Sequence, residues 1–106
     1  MEQDEKMWLV SVTRKASKQR DKLPQTINDA LEALILDMRH GGPERRNWPH
    51  YGKIKGKAKN VDMRHCHLNK DKPIYVAVWV VEDVTMQLLE VRYVGTHENA
   101  DYRRIN

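Results

Sequence analysis

Ile74-Tyr75-Val76-Ala77-Val78-Trp79-Val80-Val81-Glu82 is apolar at eight successive positions, bounded by Pro73 on one side and Asp83 on the other. A run this short and this rich in β-branched residues reads as a strand. Side chains alternate across a strand, so Ile74, Val76, Val78 and Val80 share one face and Tyr75, Ala77, Trp79 and Val81 the other. Both faces carry bulky hydrocarbon. The strand is therefore predicted to lie inside a sheet with cover on both sides.

Working outward, Asp83-Val84-Thr85 has the length of a hairpin connection to a strand at Met86–Val94. On the other side, the turn-forming link Asn69-Lys70-Asp71-Lys72-Pro73 leads back to a strand at Val61–Leu68. Residues 43–60, rich in Gly, Pro, Lys and Asn, read as an irregular basic loop. Ile27, Ala30, Leu31, Leu34, Ile35 and Met38 form a helical apolar stripe. Pro24 suits the first turn of that helix, and Gly41-Gly42-Pro43 ends it. Before it, Thr13 offers an N-cap to a polar, basic helix reaching Leu23, preceded by a first strand at Trp8–Val12. The order is β-α-α-β-β-β. It predicts a single α+β domain over 1–106, with a small, twisted, antiparallel-dominated sheet and two helices packed on one face.

The chain of 106 residues carries a formal charge of +4. Its distribution says more than its total. Between Glu44 and Lys59 stand Arg45, Arg46, Lys53, Lys55, Lys57 and Lys59, opposed by Glu44 alone, a local surplus larger than that of the whole chain. A second cluster holds Arg14, Lys15, Lys18, Arg20 and Lys22 with Asp21. Solvated surface charge explains such runs in many domains. Here the concentration favours a polyanion, and Trp48, His50 and Tyr51 interleave the loop as stacking surfaces. The lone cysteine, Cys66, excludes an intrachain disulfide and a zinc knuckle of several cysteines. It is expected to be buried and inert. Met1 to Lys6 lack the apolar run of a signal peptide, and no stretch has the length of a bilayer span. A cytoplasmic protein without a membrane partner is expected.

Histidine exchanges protons near neutral pH without help. The segment Met63-Arg64-His65-Cys66-His67-Leu68 with Asp71, and the segment Gly95-Thr96-His97, put three histidines and an aspartate where antiparallel strands meet. His65 and His67 are two apart and share a face, with Cys66 opposite. That spacing also suits a metal pair, but no recognisable metal motif completes it, and no metal or cofactor is expected. Each residue has a plainer role open to it: His97 as a strand-end packing residue, Asp71 as a turn-former, His40 as a cation at a helix C-terminus.

This order of elements, with Ile54-Lys55-Gly56, the histidine segment, an aromatic (Trp79) in the apolar strand, Glu82-Asp83 and Gly95-Thr96-His97, resembles the RelE/ParE superfamily of toxin–antitoxin toxins. Within it, the chain is similar to the YafQ-like mRNA interferases, over Trp8 to Tyr102. The resemblance implies the RelE-like fold and a catalytic set of His67, Asp71 and His97, with His50 in the loop before the Ile54-Lys55-Gly56 motif. Tyr102 approximates the aromatic that follows the last motif. The arginine usual before Gly-Thr-His is replaced by Tyr93; Arg92 is displaced by one, which predicts the opposite strand face for it. His65 stands where an acid is common.

Cleaving RNA without metal needs a base for the 2′-OH, an acid for the departing 5′-oxygen and cations for the charge on phosphorus. His97 is assigned as general base, His67 as partner acid or phosphate ligand, and Asp71 as an orienting group or second acceptor. His50 supports them. Lys53 and Lys55, with Arg64 or Arg92, are expected to grip phosphate, and Tyr102 or Trp48 to stack on a base. The resemblance implies mRNA and the ribosome, through ribosomal RNA, as targets. It also implies a cognate antitoxin, with operator DNA bound only through the antitoxin complex. Alternatives are a non-catalytic ParE-like DNA gyrase inhibitor and an inactive relative that binds its antitoxin. The ParE branch has no need of histidines around the sheet.

Overall fold

A computed structural model describes residues 7–105; the reading of Met1 to Lys6 as no signal segment lies outside them. The described elements are β1 (Leu9–Val12), α1 (Arg14–Arg20), α2 (Gln25–Gly41), β2 (Gly52–Lys53), β3 (Asp62–His67), β4 (Tyr75–Asp83) and β5 (Leu88–Thr96). They form one sheet in the order β1-β5-β4-β3-β2, with β1 parallel to β5 and the other neighbours antiparallel. The fold is the expected α+β arrangement, enlarged by one strand. Among the described residues no helix is long and apolar enough to cross a membrane.

Local chemistry sets the helix ends. Thr13 caps α1, its Oγ1 accepting from the Ala16 amide at 3.0 Å. Instead of reaching Leu23, α1 stops at Arg20, because the residue before Pro24 is pushed out of the helical region. Pro24 stands at the N-cap of α2, just ahead of its first turn. At the other end the Gly42 amide donates to the Met38 carbonyl at 2.8 Å with φ of 85°. A Cβ there would lie 2.9 Å from the indole nitrogen of Trp8, so only glycine fits both the backbone and the space. Strand β2 corrects the reading of residues 43–60 as irregular. Gly52 and Lys53 pair with His65 and Arg64, a ladder too short to leave an alternation pattern in the sequence.

β4 is central, and Val76, Ala77, Val78 and Trp79 are fully buried. On one face Ala77 and Trp79 join Cys66, Leu89, Val91 and Val94 beneath Ala16 of α1 and the Ile27–Met38 stripe of α2. On the other, Val76, Val78 and Val80 join Met63, Tyr93 and Ile105, with Ile54, Ala100 and Tyr102 packed over them. Both helices therefore lie on one face, while the loop after β2 and the C-terminal segment cover part of the other. A register shift between Val78 and Trp79 pairs Val78 with Tyr93 and Trp79 with Val91, leaving Arg92 as a bulge.

Two measurements check this packing. Trp79→Ala removes the largest fully buried side chain, and urea denaturation should show a loss of about 3–5 kcal/mol. The Cys66 thiol is pushed up to about 12 by burial. Ellman's reagent should leave it unmodified near neutral pH until denaturant unfolds the chain.

Candidate active site

Three imidazoles meet at one end of the sheet on the face away from the helices. His65 and His67 sit opposite Val78 and Val76 in the β3–β4 ladder, so both point to that face, while Cys66 is buried beneath the helices. The His67 amide donates to the Pro49 carbonyl at 2.8 Å, tying the preceding loop to the end of β3. His50 follows with φ of 55°, a left-handed turn that brings its ring back over His67. The two rings stack with centroids 4.1 Å apart. His97 comes from just beyond β5, where its amide continues the ladder by donating to the Ile74 carbonyl at 2.7 Å. Its ring meets His67 edge-on at 5.4 Å. His67 is thus the middle member, half-buried, between exposed His50 and His97.

Burial holds His67 below the ordinary histidine value, and the neighbouring His50, His97 and His65 push it further down. His65 is lowered mainly by burial, then by His97 and His50. Both effects disfavour the protonated form of His67 and leave its ring disposed to accept a proton only from a group held against it. Among the described residues, no group of three His, Cys, Asp or Glu side chains is disposed to hold a metal ion.

Gly95 of the Gly-Thr-His segment has a spatial reason. A Cβ there would fall 2.7 Å from the Tyr93 hydroxyl, which donates to the Thr96 carbonyl at 2.9 Å and fixes the turn carrying His97. Tyr102 lies on the same face, its ring 5.5 Å from that of His65. The Tyr102 hydroxyl and His65 Nδ1 are buried without hydrogen-bond partners among the described residues.

Other expected residues are placed elsewhere. Arg64 pairs with Trp79 and lies on the helix face, held by two bonds to Asp62 (2.9 and 2.8 Å) and one to the Tyr51 hydroxyl (2.8 Å). Its alternation with His65 and His67 turns it away from them. Lys53 pairs with Arg64, shares its cleft, and lies 3.9 Å from Asp62. Lys55 is exposed on the loop after β2. Trp48 packs against the helix-face core, its indole donating to Asp37 of α2 at 2.9 Å, and is no free stacking surface. Arg92 corrects an expectation. The bulge returns it to the face of Glu90 and Tyr93, where it is held by Glu90 and Glu82, each at 2.7 Å. Asp71 is exposed in the turn after β3; its carbonyl accepts from Asn69, and among the described residues its carboxylate bonds to no histidine.

That turn contains what sequence reasoning missed. The Asn69 side chain donates to the Asp71 and Pro73 carbonyls at 2.9 and 3.1 Å and accepts from the Tyr75 amide at 2.8 Å, fixing the whole link. It thereby sets Lys70 in a cleft with His50 and His67, and Lys72 in a cleft with His97 and Glu98. Ile74 is the ridge common to both clefts. The available signal was an asparagine opening a turn of alternating lysines, a pattern that turn propensity alone already explains.

The chain matches no protein-family model and no curated protein. Solved structures do resemble it. The archaeal RelE of a RelE–RelB complex from Pyrococcus horikoshii superposes with a TM-score of 0.70 at 13% identity, over 89% of this chain and 99% of that one. The isolated E. coli RelE toxin superposes at 0.62 with 16% identity, over 89% and 88%. A mutant of E. coli RelE in the free state gives 0.61 and 17%, over 87% and 85%. At these identities the likeness is one of architecture: two helices against a five-stranded mixed sheet, the RelE fold.

Proposed function

We propose that this chain is the toxin of a toxin–antitoxin pair, an endoribonuclease that cuts mRNA on the ribosome, within the YafQ-like group. The observation that carries the reading is the His50–His67–His97 cluster, on an open sheet face of a fold shared with RelE toxins. A non-catalytic inhibitor has no use for imidazoles held in contact at a solvent-facing edge.

The chemistry follows from the geometry. His67, kept neutral by burial and by its neighbours, takes the proton from a ribose 2′-OH. The freed oxygen attacks the adjacent phosphorus and the bond to the 5′-oxygen breaks, giving a 2′,3′-cyclic phosphate. His97, exposed and edge-on to His67, delivers a proton to the departing oxygen. These roles reverse the assignment made from sequence, because the more enclosed ring is the one held neutral. His50 stacks on His67 and fixes its plane. Lys70 and Lys72 flank the rings and supply the positive charge expected of Lys53 and Arg64. Asp71 is left outside proton transfer. The 2′-OH belongs to the substrate, so RNA is cut and DNA spared. An acidic, partly helical antitoxin segment would cover the cationic face and hide the histidines, and operator DNA would be reached through that complex.

In a cell-free translation system, primer extension should reveal new mRNA ends inside codons with the wild-type protein. His67→Ala and His97→Ala should each reduce cleavage by about 10²–10⁴-fold. Intact mRNA with the wild type, or undiminished cutting by both variants, refutes the reading. The pH profile gives a separate check. Because the His67 value is lowered, the base is lost only as pH falls below the ordinary histidine range. The acidic limb of kcat/KM should therefore lie below about pH 6.5. A limb above that value excludes His67 as the base.

A further inference from the structure

A cleft lies close to His97, between α1, the end of β5 and the C-terminal turn. Lys15 and Lys22 of the α1 region line it together with Arg104, Tyr75, Thr96 and Asp101. Three cations face one carboxylate, Asp101, which approaches Arg104 to 3.5 Å. Lys15 and Lys22 are exposed, and neither has a carboxylate within ion-pair distance among the described residues. The wall is rigid: the Gln19 side chain of α1 reaches across to accept from the Val94 amide of β5 at 3.1 Å. Tyr75 and Leu23 add apolar surface between the charges.

This cleft adjoins the proposed active site through shared walls. Ile74 borders both the His50–His67 cleft and the His97 cleft, and Thr96 borders both the His97 cleft and the α1 cleft. Each compartment carries cations: Lys70 in the first, Lys72 (balanced by Glu98) in the second, Lys15, Lys22 and Arg104 in the third. A row of linked clefts, with basic side chains at intervals and aromatic surface between, is what an extended single strand requires. A folded anionic protein surface would meet a convex face more readily than three adjoining clefts.

We infer that the RNA strand cut at the histidines continues over Thr96 into the α1 cleft, where Lys15, Lys22 and Arg104 hold its phosphates as a distal subsite. The inference rests on the ribonuclease reading and extends it to the length of substrate engaged. It makes α1 a part of the RNA-binding surface rather than a helix that merely roofs the sheet.

The test uses 2′-O-methyl RNA oligomers, which cannot be cut because the attacking hydroxyl is capped. A short oligomer spans the histidine clefts, and longer ones add several nucleotides at either end. Binding to the full chain is followed by fluorescence anisotropy across a salt series. Extension at one end should tighten binding and steepen the salt dependence by about 0.7 in log–log slope for each phosphate gained. Lys15→Ala/Lys22→Ala, both exposed and remote from the core, should return the longer oligomer to the affinity of the short one. Binding of the short oligomer itself should not change.

An extension that adds nothing at either end, or a gain that survives in the double variant, overturns the distal subsite while leaving the ribonuclease reading intact. A variant that loses binding to ribosomal subunits or to an acidic peptide, yet keeps the gain on extension, assigns the cleft to a different partner and also overturns it. If neither the short nor the extended oligomer binds the wild type, the distal subsite falls, and the ribonuclease reading is decided separately by the primer-extension result.

Discussion

The burial of β4 on both faces is the constraint from which the rest follows. Trp79 and Ala77 need a roof on one side, and α1 and α2 supply it with Ala16 and the Ile27–Met38 stripe. Val76, Val78 and Val80 need cover on the other, and no helix is left to give it. The chain closes that second face with its own ends of loop, Ile54 after β2 and Tyr102 and Ile105 at the C-terminus, reinforced where Lys57 donates to the Ile105 carbonyl at 2.9 Å. These covers are small. They protect the middle of the sheet and leave the end near Ile74 open, and that is where the histidines gather. A fuller roof would stabilise the sheet and bury the rings.

Strand parity explains most of what was readable beforehand. Alternation in β3 separates Cys66 from His65 and His67, and the sequence alone supports that division. The same alternation sets Arg64, one residue from His65, on the opposite face. The guanidinium is instead committed to Asp62 and Tyr51. Arg92 shows the converse. Parity predicts the wrong face because a bulge after Val91 adds a residue to β5, and a bulge leaves no mark in an apolar–polar pattern. Even on the right face Arg92 is unavailable while Glu82 and Glu90 hold it.

The histidines divide in the same way. His67 and His97 are legible because each ends or follows a predicted strand, and antiparallel pairing through β4 brings those ends together. His50 depends on a left-handed backbone and on a bond between His67 and the Pro49 carbonyl, neither of which periodicity reports. Trp48 was misread for a related reason. Its indole has a partner, Asp37, that only the packing of the loop against α2 reveals. Asp71 read as an acid near histidines, but the Asn69 amide organises that turn, and its bonds to backbone carbonyls leave the carboxylate in solvent.

Crowding imidazoles carries a cost that the site turns to use. Burial and the adjacent rings disfavour protonation of His67, the direction that the proposed role of base calls for. A phosphate entering between His67 and His97 reverses that balance, because an anion favours the protonated form of every ring it touches. Proton uptake and phosphate binding are then linked, each promoting the other. On the proposed mechanism, His67 becomes easier to charge once a phosphate is seated, the direction in which a base must change during the reaction. On the same mechanism, three rings in contact do this without a buried carboxylate, with Asp71 in solvent.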